Sequence, residues 1–228
     1  MPRRERPAQT TRSEHWLRVA VNKEPVRLNA RITELYGWSS TERIQWLSPI
    51  EEDHFAEYFD QSFIDRLGLK ELRVPLQDFW PNGGPRWDGL GKTASGKIIL
   101  VEAKAYIEEA VDYRTKASPE SRARIESSIE RAKIAFTANH DASWNSPFYQ
   151  YANRLAHLYF LAGLNKLDAY LLFVAFADAP DVPAPSTTEE WRGAYRLMSK
   201  CLGLSNGPLR RRVGHLIWSV QDVRPKEG

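Results

Sequence analysis

The sequence predicts an α/β protein with a central mixed sheet flanked by helices, and three observations lead there. Residues 98–103, Ile98-Ile99-Leu100-Val101-Glu102-Ala103, form a nearly continuous apolar, β-prone run of the kind buried on both faces of a sheet. Residues 168–177 repeat that pattern. Around them lie segments of helical periodicity with clear start signals, Ser118-Pro119-Glu120 being one. At 228 residues the chain can bury one full core, so a single domain over 1–228 is expected.

Residues 1–12, interrupted by Pro2 and Pro7, read as a flexible basic arm. Arg3, Arg4, Arg6 and Arg12 there, like Arg210, Arg211 and Arg212 later, are either a solvated charge run or a nucleic-acid contact. Ser13 can cap a short helix from Glu14-His15-Trp16, which Pro25 ends or restarts. Ile44-Gln45-Trp46-Leu47 alternates as a short strand. A helix over 51–67, opened by Ser48 or Pro49, places Phe55, Phe59, Phe63 and Leu67 at four-residue steps and stops at Gly68. Residues 69–76 then read as the first strand of the sheet, with Pro75 marking an edge or an end.

The turn-rich stretch 79–85 leads into a strand carrying Asp88, and Ala94-Ser95-Gly96 turns the chain into the 98–104 strand. Ser118 opens a helix to about Phe136. Ser146-Pro147 opens another over 147–162, with Tyr151, Leu155, Leu158 and Ala162 as its core stripe and Gln150, Arg154 and His157 on another face. A strand over 168–177, a proline-rich loop, a helix over 189–204 and a last strand over 213–223 complete the chain.

Side chains alternate across a strand, so Glu102 and Lys104 share one face and Ala103 takes the other. The hairpin brings Asp88 beside them, and two carboxylates and one lysine meet at one end of the sheet. Such a group suits a hard divalent cation, because Mg²⁺ prefers carboxylate oxygens and an adjacent ammonium can orient a water. Asp88 followed by Glu102-Ala103-Lys104 after thirteen residues resembles the PD-(D/E)XK motif of restriction-endonuclease-like nucleases. The resemblance covers roughly 51–177 and implies an αβββαβ core, with extra N-terminal helices and a C-terminal helix and strand added here. The family usually has proline directly before this aspartate; here Pro85 stands three residues earlier.

The same resemblance implies a metal-dependent endo- or exonuclease. Asp88, Glu102 and the Ala103 carbonyl would hold Mg²⁺, with Mn²⁺ as a substitute, and Lys104 would position the attacking water. Ala56-Glu57 before Gly68 is similar to the family's helical Ala-Glu pair and assigns Glu57 a supporting role, with Glu51 and Glu52 as competitors. Tyr149-Gln150-Tyr151-Ala152-Asn153-Arg154 resembles a helix that presents Gln150 and Arg154 to substrate phosphate, although the customary glutamine-to-tyrosine spacing is not met. The substrate implied is nucleic acid, DNA by analogy with most of the family. A homodimer would supply two sites for double-strand cutting, but no interface signal is visible.

Other chemistries are disfavoured. Gly89-Leu90-Gly91-Lys92-Thr93 resembles the end of a phosphate-binding loop, but Arg86 stands where the earlier glycine is needed and a strand follows. The five histidines show no i, i+3 or i+4 pairing, and no Gly-x-Ser-x-Gly elbow occurs. A single cysteine, Cys201, fits a reducing compartment, and with no signal-like apolar run the chain reads as cytoplasmic. The net charge of +3 permits phosphate binding without demanding it. Two other readings stay open: a non-catalytic nucleic-acid-binding module on the same fold, and a protein-interaction domain with a solvated Glu/Lys pair.

Overall fold

The computed structural model describes residues 3–7, 9–112 and 117–223. The chain opens with a two-residue strand, β1 (Arg3–Arg4), followed by helices α1 (Arg12–Asn22) and α2 (Pro25–Tyr36). Pro25 occupies the first turn of α2, where no backbone donor is needed, and Gly37 ends it at a φ of 64° that a side chain would resist. Strand β2 (Ile44–Ser48) precedes a 3₁₀ turn, a two-residue strand β3 (Glu57–Tyr58) and the short helices α3 (Gln61–Arg66) and α4 (Leu76–Phe79). Strands β4 (Gly89–Thr93) and β5 (Ile98–Lys104) form the expected hairpin, turned at Gly96 with φ 90°. Then come α5 (Pro119–Ala135), α6 (Tyr149–Leu158), β6 (Ala169–Ala177), α7 (Thr188–Cys201), β7 (Val213–Ser219) and α8 (Val220–Val223).

The main sheet runs β2-β4-β5-β6-β7; its first three strands are antiparallel and β5, β6 and β7 are parallel. Its two faces carry separate apolar layers. Ile98 and Leu100 pack with α5, α6 and α7, whereas Ile99, Val101 and Ala103 pack with α1 and α2. Strand β5 is thus buried on both sides, as its composition demands. No helix among the described residues is long and apolar enough to cross a membrane.

Several expectations are corrected. No helix spans 51–67: Glu51–Asp53 is a 3₁₀ turn, His54, Phe55 and Asp60 have φ near 50°, and Glu57 lies on β3. The Phe55, Phe59, Phe63, Leu67 spacing is helical only from Gln61 on, because pairing of β1 with Glu57–Tyr58 and of Tyr58 with Trp87 holds the preceding segment extended. No strand forms over 69–76, so β2 is the first strand of the sheet and α2 the helix before it. The first helix starts at Arg12 after Thr11, not at a Ser13 cap.

In the N-terminal arm, Met1, Pro2 and Ala8 lie outside the described residues, but Arg3–Arg4 pairs with Glu57–Tyr58 and the segment is packed rather than free. Helix α6 starts at Tyr149 and passes into a π-helical turn at Tyr159–Leu164, so Pro147 is not its first residue. The last strand stops at Ser219, where α8 begins. The late arginine cluster is partly engaged: Arg212 pairs with Asp168 at 2.6 Å, and Arg210 donates to the Val213 carbonyl at 3.0 Å on the outer strand.

Candidate active site at the end of the central strands

Alternation along β5 sends Glu102 and Lys104 to the same face as Ile98 and Leu100, toward α6. There the Lys104 ammonium donates to Glu102 Oε1 at 2.5 Å. Strand β4 begins with Gly89 opposite Val101, so Asp88 falls just beyond the ladder. Its Oδ2 accepts the otherwise unpaired Ala103 N–H at 2.8 Å. Because the N–H and C=O of one strand residue face the same neighbour, the Ala103 carbonyl is aimed at that edge too. Two acids, a lysine and a backbone oxygen therefore gather where the parallel strands end, the crevice in which open α/β sheets generally bind ligands.

Helix α6 adds the side chain that fixes Glu102. Arg154, 5 % exposed, donates from Nε to Glu102 Oε2 at 2.7 Å, and a second guanidinium nitrogen lies 2.6 Å from the same oxygen. The guanidinium also donates to the Arg86 carbonyl at 3.0 Å and lies over the Trp87 ring. One arginine thereby ties β5 to the backbone two residues before Asp88. The expected substrate contact at Arg154 is instead a buried partner of Glu102. Gln150, one turn earlier, is half-buried and lines the cleft. His157, expected on their face, is buried among Trp80, Trp87, Phe63 and Phe79, and that burial lowers its pKa to about 3; it is a neutral packing residue.

Glu57 reaches the site from β3. Its Oε1 accepts from Arg6 at 2.5 Å, and its side chain is 4 % exposed. Glu51 and Glu52 are exposed on their turn and do not line the cleft. Glu57, Asp88, Glu102, Lys104, Arg6 and Gln150 share one cleft of about 450 Å³. Its rim is braced by Asp60, which accepts from Gly83 and Gly84 N–H groups at 2.8–3.1 Å.

The electrostatics follow from this crowding. Burial and the neighbouring Glu102 carboxylate push Asp88 up, to about 8. Burial works against ionised Glu102 as well, but Arg154 and Lys104 outweigh it and hold Glu102 below the usual carboxylate range. Burial alone would lower Lys104; Glu102 and Asp88 reverse this and raise it, so the side chain is an ammonium at neutral pH. Among the described residues no cluster of three His, Cys, Asp or Glu side chains is arranged as a ready metal cage. The donor set still fits a hard cation that uses one or two carboxylates and keeps its waters. Asp88 is a carboxyl in excess negative potential, which a divalent cation would relieve.

Sequence reasoning missed Arg6 as a site residue, although it counted Arg6 in the N-terminal basic run. It also missed Arg86, exposed at the rim and placed over the Phe59 ring. Arg6 arrives by pairing of distant segments, which no local periodicity exposes, and Arg86 stands two residues before Asp88 in a turn-rich stretch that has no periodicity to read. The Gly89–Thr93 stretch is strand β4, not a phosphate-binding loop. Comparisons with protein-family models, curated proteins and solved structures return no match.

Proposed function

We propose that this protein is a metal-dependent nuclease that hydrolyses phosphodiester bonds, with DNA the favoured substrate. The observation that carries the reading is the meeting of Asp88, Glu102 and Lys104 at the end of β5, with Glu57 entering the same cleft from β3. The element order supports a restriction-endonuclease-like core: α2, the three antiparallel strands β2, β4 and β5, helices α5 and α6, then β6.

Asp88, Glu102 and the Ala103 carbonyl would hold Mg²⁺ or Mn²⁺, with Glu57 in support. The cation, when bound, supplies charge stabilisation at the phosphoryl group and a hydroxide-like nucleophile near neutral pH. Lys104, kept protonated by its acidic neighbours, donates a hydrogen bond to the attacking water or to a phosphoryl oxygen, and does not act as a base. Arg154 keeps Glu102 ionised and in place. Arg86, exposed at the rim over the Phe59 ring, is suited to a flanking phosphate.

The test is cleavage of labelled single- and double-stranded DNA and RNA with Mg²⁺ or Mn²⁺, with an EDTA control. Lys104→Ala should lower turnover by a factor on the order of 10² or more, the scale of losing one transition-state donor. Asp88→Asn should also weaken metal binding. Wild-type turnover in either variant would sink the assignment. The engagement of Glu102 by two cations and of Glu57 by a third favours one second reading, a nucleic-acid-binding module without cleavage. Metal-independent binding with no cleavage would select it.

A further inference from the structure

Resting on the nuclease reading, we propose that Arg6 is the residue by which the N-terminal segment grips a substrate phosphate, held in reserve by Glu57 until a divalent cation takes that carboxylate. Arg6 lies 2.5 Å from Glu57 Oε1 and lines the same cleft as Asp88 and Glu102, so the guanidinium sits beside the cluster of acids. It holds a positive charge on a carboxylate that shares the cleft with the pair that would hold the metal.

The other cations of the cleft are differently committed. Lys104 and Arg154 share Glu102, and Arg154 is locked to the Arg86 carbonyl. Arg6 is 21 % exposed and comes from a short segment held on the body of the protein mainly by polar contacts: two paired residues, the Arg3–Asp53 ion pair at 2.6 Å, a 3.4 Å bond from the Arg6 N–H to the His54 carbonyl, and the Arg18 bond to the Pro7 carbonyl. Its Nε, 3.5 Å from Glu14, makes no hydrogen bond. A guanidinium released from a carboxylate by a divalent cation keeps its charge and its planar fork. A phosphodiester is the anion that then enters, and it matches the fork in charge and shape.

The test compares wild type with Arg6→Gln and Glu57→Gln. Mg²⁺ binding is measured by calorimetry, and binding of a single-stranded oligonucleotide is followed across salt in EDTA and in Ca²⁺. Arg6→Gln should bind Mg²⁺ several-fold tighter, and its oligonucleotide affinity should fall less steeply with salt, by about one unit of log–log slope. Glu57→Gln, which removes the closer of the two carboxylates on Arg6 and leaves only the 3.5 Å contact with Glu14, should bind the oligonucleotide more tightly in EDTA. Arg4→Gln, exposed on the same segment, should change neither quantity. If wild type binds Mg²⁺ and Arg6→Gln binds it no tighter, or if Glu57→Gln leaves binding in EDTA unchanged, the proposal falls and the nuclease reading stands. If none of the proteins binds Mg²⁺, both fall.

Discussion

Two carboxylate–cation pairs face each other across the cleft, Glu102 with Lys104 and Arg154, and Glu57 with Arg6. Their closest distances, 2.5 Å in each, are the same. Their supports differ. Glu102 stands on a seven-residue strand paired along its length to β6 and backed by apolar layers on both faces, and a buried arginine from α6 holds it. Glu57 stands on a two-residue strand whose partner is an equally short, exposed segment. An ion pair inherits the support of the backbone beneath it, so the first pair rests on an extended ladder and the second on a few bonds, which is the difference the proposed exchange at Glu57 relies on.

The largest stability effect is expected on the sheet side. Arg154→Met should destabilise the protein by about 3–5 kcal/mol in denaturant titration, because it leaves a buried carboxylate with only the partly exposed Lys104. Adding Glu102→Gln should recover part of that loss. A double variant no more stable than Arg154→Met would mean that packing of Arg154 on Trp87, not charge, carries the cost.

Next in size is a dependence on pH. The folded protein holds a proton on Asp88 up to about 8, whereas an unfolded aspartate has lost it by about pH 4. The contribution of Asp88 is therefore full below about pH 4 and declines as pH rises toward 8. Asp88→Asn should melt together with wild type at low pH and above it near pH 8. Mg²⁺ should flatten the wild-type decline by favouring the ionised carboxylate. Parallel melting curves across this range would show Asp88 to be an ordinary aspartate.

The smallest effect sharpens the contrast itself. Raising ionic strength should speed amide hydrogen exchange at Arg4 and Tyr58 while leaving Leu100 and Phe173 unchanged, because exposed charge pairs are screened and a buried ladder is not. Equal protection of both regions at all salt concentrations would show the N-terminal segment to be part of the rigid body.

The legible parts of the site were those carried by local pattern. The apolar run ending in Glu102-Ala103-Lys104 reads best as a buried strand, and strand alternation puts both charges on one face. The turn at Ala94-Ser95-Gly96 brought Asp88 alongside. Glu57 is named by the resemblance of Ala56-Glu57 before Gly68 to a helical Ala-Glu pair, and it lines the cleft without that helix: Tyr58 pairs with Trp87 and Glu57 with Arg4, and those long-range bonds override the weak periodicity of the phenylalanines. Arg154 was placed on the right helix and given the wrong partner, since its direction depends on how α6 packs over β5.

The sequence by itself determined the strands β4, β5 and β6, the helix starts at Ser118 and near Thr188, and the acidic pair with its lysine. Each of these is written within a few residues, in alternation, composition or capping. Only the tertiary structure decided that Arg154 secures Glu102 and that Arg6 covers Glu57. Those contacts join residues 52 and 51 positions apart, and no local pattern records which distant charge a buried carboxylate will meet.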